Sequence, residues 1–267
     1  VIEVSGGRLA YEEAGDGPDA AVFHQYNGVT ASGALAQAVA RHFRVKAINP
    51  RGIGESGPVR DDGDLTMSGF VEDLVAARKA LGVEKWVLAG SSTGGMVALQ
   101  VALADPDGVA GLVLVGTAAS RRFMEGSMYD PNGPDAAEFG MRMRELMANG
   151  DTEAYMEAVF RASVYDPERT PQPPEFGAGG FSMPRMMAFG QSVAGFDVED
   201  RLGEISCPAL VICGRQDPQC PLPNSERIAA GIPAAELRIF EECGHFPYWE
   251  HAEQFRAAID AWSTRLN

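Results

Sequence analysis

Short apolar or alternating runs are separated along most of this chain by longer stretches in which apolar residues return every three to four positions. Arg8-Leu-Ala-Tyr-Glu12 reads as a half-buried strand, and Ala20–Phe23 and Arg44–Ile48 as strands flanking a helix over 32–41. Between Thr66 and Leu81, Phe70, Leu74 and Ala77 share one helical face, and Gly82 is placed to end that helix as a C′ glycine. Lys85-Trp-Val-Leu-Ala89 is a strand, 93–104 a helix stopped by Asp105-Pro106, and Gly111-Leu-Val-Leu-Val115 a strand buried on both faces. Strands that alternate with helices predict an α/β fold, a mostly parallel central sheet covered by helices on both faces.

The rhythm breaks from 119 to 196, where Pro131, Pro134, Pro167, Pro171, Pro173, Pro174 and Pro184 interrupt helical pieces at 135–147 and 152–162. It resumes with a strand at Ala209–Cys213, a helix at Asn224–Ala230, a strand at Glu236–Glu241 and an amphipathic helix at His251–Thr264. The expected organisation is a core in two pieces, 1–118 and 197–267, with a helical lid inserted at 119–196.

Composition narrows the function classes. Hydrophobic residues are 45% and charged residues 22% of the 267, as in ordinary folded domains, and no apolar run approaches the roughly 18 residues of a spanning helix. The start at Val1 shows no basic segment leading into an apolar run, so the residues given read as a soluble, cytoplasmic protein. A net charge of -15 argues against nucleic acid and anionic membranes as partners and leaves a small-molecule substrate, with the oligomeric state open. Cys207, Cys213, Cys220 and Cys243 form no C-x-x-C pair and have no histidine at zinc-ligand spacing, so no metal is expected. Free thiols fit a reducing compartment.

The chemistry gathers around Gly90-Ser91-Ser92-Thr93-Gly94, a G-x-S-x-G placed directly between a predicted strand and a predicted helix. Ser92 at such a turn is a candidate nucleophile, and a serine hydroxyl needs a base that is itself oriented by an acid. Of His24, His42, His245 and His251, His245 follows a strand on the same sheet edge as Ser92. His251 opens the last helix, His42 ends an early one, and His24 reads as structural. The strand ending at Val115 is followed by Gly116-Thr117-Ala118, which offers no acid, whereas Cys213 is followed by Gly214-Arg-Gln-Asp217-Pro218. Asp217 is therefore the candidate acid, although Asp-Pro is also an ordinary turn starter.

With these residues in hand, the whole chain resembles the α/β-hydrolase superfamily of serine hydrolases with a helical lid. Asn49-Pro-Arg-Gly-Ile-Gly-Glu-Ser56 is similar to the D-x-R-G-x-G-x-S turn of that family, with Asn for Asp, and Gly244-His-Phe-Pro247 to its G-H-x-P ending. The resemblance implies an oxyanion hole from the backbone N–H groups of Tyr26 and Thr93. It also exposes a departure, since Gln25 stands where the family has glycine after the histidine. The resemblance implies an acyl-enzyme mechanism without a cofactor. The methionines and phenylalanines of 119–196 favour an apolar pocket wall, hence a small carboxylic ester or lactone. A prolyl-aminopeptidase activity is the second reading, because Asp217-Pro-Gln-Cys220-Pro221 is similar to the D-x-x-C-P of that branch. It would require a lid carboxylate for the substrate ammonium, from Glu138, Glu145, Glu153, Glu157 or Glu175. A non-catalytic small-molecule receptor on the same fold is the third.

Overall fold

The computed structural model describes residues 1–134, 136–174, 176–177 and 179–266, so Asp135, the first residue of an expected helix, and the candidate Glu175 lie outside the described residues. A hairpin of β1 (Ile2–Val4) and β2 (Gly7–Leu9) precedes a seven-stranded sheet of β3 (Tyr11–Ala14), β4 (Asp19–Val22), β5 (Arg44–Ile48), β6 (Trp86–Ser91), β7 (Val109–Val115), β8 (Ala209–Gly214) and β9 (Ala235–Phe240). The sheet order is β3-β5-β4-β6-β7-β8-β9, with β3 antiparallel and all other pairings parallel. The single strand expected at 8–12 is thus two strands. Ala10 is the corner, its N–H donating to Ser56 Oγ at 2.8 Å and its carbonyl accepting from Asn49 N at 3.0 Å.

Helices cover both faces because alternate strand residues point to opposite sides. Trp86, Leu88, Leu112, Leu114 and Val211 face one core with Phe70 and Leu74 of α2 (Met67–Ala80) and Val97 of α3 (Thr93–Ala104). Val87, Ala89, Val113, Val115 and Ile212 face the other, with Leu35 and Val39 of α1 (Ala34–Val39) and Ile259 and Trp262 of α9 (Ala252–Ser263). Gly82 ends α2 at φ 67° as its sequence position predicts. The helix near 32–41 is shorter than its pattern suggests, bounded by Gly33 at its N-cap and Ala40 at its C-cap.

Between β7 and β8 the chain forms α4 (Ala136–Ala148), α5 (Thr152–Ser163) and α6 (Met183–Ser192); α7 (Leu222–Gly231) and the four-residue α8 (Pro247–Glu250) follow. Ser120 and Asp197 pair as an isolated bridge where this stretch leaves and rejoins the sheet. Helix α6 was not legible in the sequence because Pro184 reads as a breaker. In the structure that proline occupies the first turn, where its missing N–H costs no hydrogen bond. Arg185 on α6, wholly buried, anchors the helix by donating to the carbonyls of Arg51 at 2.8 Å and Asp64 at 2.6 Å. A separate hydrophobic cluster of Phe160, Val164 and Phe246 joins α5 to the segment after β9, with the rings of Phe160 and Phe246 stacked at 5.5 Å. No helix among the described residues is long and apolar enough to cross a membrane.

Candidate active site

Strand β6 runs directly into Ser91, and α3 begins at Thr93, so Ser92 alone makes the turn, at φ 53° and ψ -124°. A non-glycine residue in that region is strained and persists only where its surroundings fix it. Ser92 N–H donates to Val115 O at 2.9 Å and Thr117 Oγ1 to Ser92 O at 2.6 Å, which does so here. The turn is tight enough that a Cβ on Gly90 would lie 2.3 Å from the Gly94 carbonyl carbon, which is why the flanking positions carry no side chain. A serine at a helix N-cap ordinarily spends its oxygen on the first-turn N–H groups, but Ser92 makes no such bond. Its hydroxyl is left for other chemistry.

His245 and Asp217 meet as their positions in the sequence suggest. His245 Nδ1 lies 2.9 and 2.8 Å from the two oxygens of Asp217, with the residues 1% and 4% exposed. The carboxylate holds the Nδ1–H, leaving Nε2 as the ring's acceptor. The turn-starter role of Asp217 is fulfilled as well, since its Oδ1 accepts from Gln219 N at 2.8 Å and Cys220 N at 2.9 Å. Gly116, at φ 49°, explains why no acid follows β7: a Cβ there would approach Asp217 Oδ2 to 2.9 Å and His245 Nδ1 to 3.1 Å. Of the other histidines, His42 pairs with Asp260 at 2.7 Å and His251 is the N-cap of α9, bonded to Glu242 O.

Ser92, His245, Tyr26 and His24 line one cavity of about 160 Å³. His24 is more closely involved than its sequence position suggested. Its Nδ1 accepts from Tyr26 N at 3.3 Å and Asn27 N at 3.1 Å, so the ring organises the loop in which Tyr26 lies. Thr93 Oγ1 is nearly equidistant from the two ring nitrogens, at 3.3 and 3.2 Å, which places it over the ring rather than on either in-plane axis. Burial, with the nearby His245 adding to it, takes the His24 imidazole down to about 3, so it is neutral and carries its proton on Nε2. Burial lifts the Tyr26 phenol above its usual value, and that hydroxyl stays protonated.

Gln25 does not line the cavity. It is wholly buried and ties the loop to the core by donating to Leu65 O at 2.9 Å, while its Oε1 has no partner. Asn49, the other departure from the family pattern, accepts from Val29 N at 2.7 Å and donates to Val29 O at 3.1 Å. An aspartate could make only the first of these bonds.

Aromatic side chains from 119–196, among them Tyr129, Tyr155, Phe176 and Phe181, close the cavity against Val29 and Leu35. Among the described residues no lysine or arginine lines it. Glu138, Glu145, Glu153 and Glu157 are exposed and do not line it. Among the described residues no three His, Cys, Asp or Glu side chains converge as a metal site.

Comparison with known proteins agrees with the architecture. The family model described as alpha/beta hydrolase fold matches residues 22–252. A 2-hydroxy-6-oxononadienedioate/2-hydroxy-6-oxononatrienedioate hydrolase of Paraburkholderia xenovorans (strain LB400) is 30% identical, over 94% of this chain and 89% of that one. The solved structure of an alpha/beta fold family hydrolase from Bacillus anthracis str. Sterne superposes with a TM-score of 0.90 at 28% identity, covering 97% of each chain. A thermophilic esterase from Thermogutta terrifontis superposes with a TM-score of 0.71 at 27% identity, over 99% of this chain and 97% of that one.

Proposed function

The chain belongs to the α/β-hydrolase family, and from that premise we propose that it is a serine hydrolase of small, neutral carboxylic esters or lactones. The observation that carries the reading is the buried His245–Asp217 pair opening on the same cavity as the strained, uncapped Ser92. Ser92 Oγ attacks the acyl carbon while His245 Nε2 takes its proton, giving a tetrahedral intermediate whose oxyanion accepts from the N–H groups of Thr93 and Tyr26. Thr93 N is free for this because the first N–H groups of a helix have no intrahelical acceptor. Tyr26 N–H, held by His24 only at 3.3 Å, turns to the stronger charged acceptor as it develops. The intermediate collapses as His245 protonates the leaving alcohol, and a water activated by His245 then releases the acid. Residues 119–196 serve as the lid that shapes and dries the cavity.

Charge and size choose the substrate class. The Paraburkholderia relative is named for a dicarboxylate, and a carboxylate buried in this cavity would have no lysine or arginine to meet it. Among the described residues none of the candidate lid carboxylates Glu138, Glu145, Glu153 and Glu157 lines the cavity to receive an aminoacyl ammonium, which places the aminopeptidase reading behind the ester. A cavity of about 160 Å³ is close to the roughly 150 Å³ that accommodates a benzene ring. Hydrolysis of a 2-hydroxy-6-oxo-dienedioate is the second reading, favoured by the 30% identity to that relative and set behind the neutral ester because its carboxylates would find no lysine or arginine among the described lining residues.

The test is a panel of p-nitrophenyl acetate and butyrate, small lactones, a hydroxy-oxo-dienedioate and proline p-nitroanilide. Fluorophosphonate labelling and Ser92→Ala accompany it. Neutral esters should be turned over at least tenfold faster, by kcat/KM, than the dicarboxylate or the anilide, with kcat down by about 10⁴-fold or more in Ser92→Ala. Undiminished turnover by Ser92→Ala defeats the mechanism, preference for the dianion defeats the substrate class, and one-to-one acylation without turnover identifies a receptor.

A further inference from the structure

The loop bearing His245 is held by a device that the proton transfer does not itself require. Three consecutive backbone N–H groups, those of Gly244, His245 and Phe246, are all engaged. Gly244 N donates to Glu250 Oε2 at 2.8 Å and Phe246 N to Glu250 Oε1 at 3.0 Å, while His245 N donates to Ser163 O at 2.8 Å. Ser163 is the last residue of α5, so its carbonyl is one of those a helix end leaves unpaired. The Glu250 carboxylate accepts a third bond, at Oε2, from Tyr165 N two residues beyond that end, at 2.7 Å. One carboxylate therefore grips the histidine loop on both sides of His245 and the end of α5 at once.

The side chains add a second tie. Gln219, whose N–H is bonded to Asp217 Oδ1, donates through Nε2 to Ser163 Oγ at 2.7 Å and accepts from Tyr129 Oη at 2.8 Å. The backbones pass so closely that a Cβ on Gly244 would lie 2.3 Å from Ser163 O and 2.9 Å from Tyr165 N. This contact, not a turn, is what demands glycine before the histidine.

We propose that Glu250 is a positioning residue for His245, setting the imidazole against Ser92 through its hold on Gly244, Phe246 and the docked end of α5. The proposal rests on the reading of Ser92, His245 and Asp217 as the catalytic groups. It follows from the geometry of a short loop: with three successive N–H groups fixed and Nδ1 held by Asp217, the ring has no freedom to drift from its acceptor position. Glutamine at 250 keeps one acceptor oxygen and loses the other, and alanine loses both. A misplacement of about 1 Å in a reacting group can cost on the order of 100-fold in rate.

The experiment measures p-nitrophenyl butyrate hydrolysis by the full chain carrying Glu250→Gln or Glu250→Ala, with the exposed Glu253→Gln as a control. Each rate is divided by the end-point of fluorophosphonate labelling, which counts competent sites. The expected result is kcat per labelled site down about tenfold for glutamine and about 100-fold for alanine, with KM within about threefold, labelling slower but complete, and Glu253→Gln unchanged. The proposal is overturned if kcat per labelled site stays within about twofold of wild type in both variants. It is also overturned if activity falls only in proportion to the labelled fraction, the mark of lost folding. Ser92→Ala with full activity would sink the underlying mechanism regardless of Glu250, whereas inactive Ser92→Ala beside fully active Glu250 variants sinks this inference alone.

Discussion

The Asp217–His245 side of the site and the loop from His24 to Gly28 differ in how completely their polar groups are paired. On the first, both carboxylate oxygens of Asp217, the Nδ1 of His245 and three successive N–H groups all have partners at 3.0 Å or less. On the second, Gln25 Oε1 and Asn27 Oδ1 are buried without partners and Tyr26 N reaches its acceptor only at 3.3 Å. A proton-transfer pair must be oriented before substrate arrives, and pairing supplies that orientation. An oxyanion donor must instead keep its N–H for a charge that exists only during the reaction, so weak pairing in the resting enzyme suits it. The proposed mechanism accounts for the asymmetry, and each side can be tested by disturbing it.

Asp217→Asn strikes the fully paired side hardest. Asparagine retains an oxygen for Gln219 N and Cys220 N but no longer holds the correct imidazole tautomer, so kcat should fall about 10⁴-fold with the melting temperature within a few degrees of wild type. A fall of less than tenfold would show that Asp217 is only a turn residue. On the weakly paired side, Tyr26→Pro removes the N–H, and kcat should drop about 10²–10³-fold with little change in KM, while Tyr26→Phe, which keeps it, stays near wild type. Equal rates for the two variants would remove Tyr26 from the oxyanion hole.

Gln25→Ala tests whether the loop depends on its tether to Leu65. Kinetics should show kcat lower by about tenfold, and urea unfolding a stability loss of about 1 kcal/mol or less, because the lost hydrogen bond is partly offset by removal of the unpaired Oε1. The last test reads pH dependence rather than rate and concerns His24, whose imidazole lies near 3 in the fold against 6.5 unfolded. Between those values the unfolded chain binds a proton that the folded one refuses. Stability contributed by the neutral ring is therefore complete above pH 6.5 and lost as pH falls toward 3, by at most about 1.4 kcal/mol per pH unit. His24→Asn keeps an acceptor for Tyr26 N and Asn27 N and should flatten the fall in urea midpoint between pH 6.5 and 4. Identical pH slopes in the two proteins would show that His24 already titrates normally.

Much of this arrangement was legible in the residues. The G-x-S-x-G motif announced the turn at Ser92 because glycines on either side of a serine, between strand and helix, have few other uses. Gly82 and Asp105-Pro106 marked helix ends through local backbone chemistry alone. The split at Ala10 was not legible, since it depends on Ser56 and Asn49, some forty residues away. Helix α6 was hidden by a proline whose place in the first turn only the fold reveals. Glu250 carried no signal, because its value lies in N–H groups of Gly244, Phe246 and Tyr165, and nothing in an exposed-looking W-E-H run predicts that the last of these is near. The direction of Gln25, into the core toward Leu65 and away from the cavity, could not be read from the motif it interrupts.

The sequence by itself determined the alternation of strand and helix and the turn at Ser92, and it offered candidate positions for a base and an acid, since these follow from periodicity and from the steric demands of a sharp turn. Only the tertiary structure decided that His245 and Asp217 meet, that no lysine or arginine is among the described residues lining the cavity, that His24 organises the Tyr26 loop, and that Glu250 ties the histidine loop to α5. Those facts depend on distances between residues far apart in the chain, set by the packing of both sheet faces and the docking of α5 and α6, which no local pattern encodes.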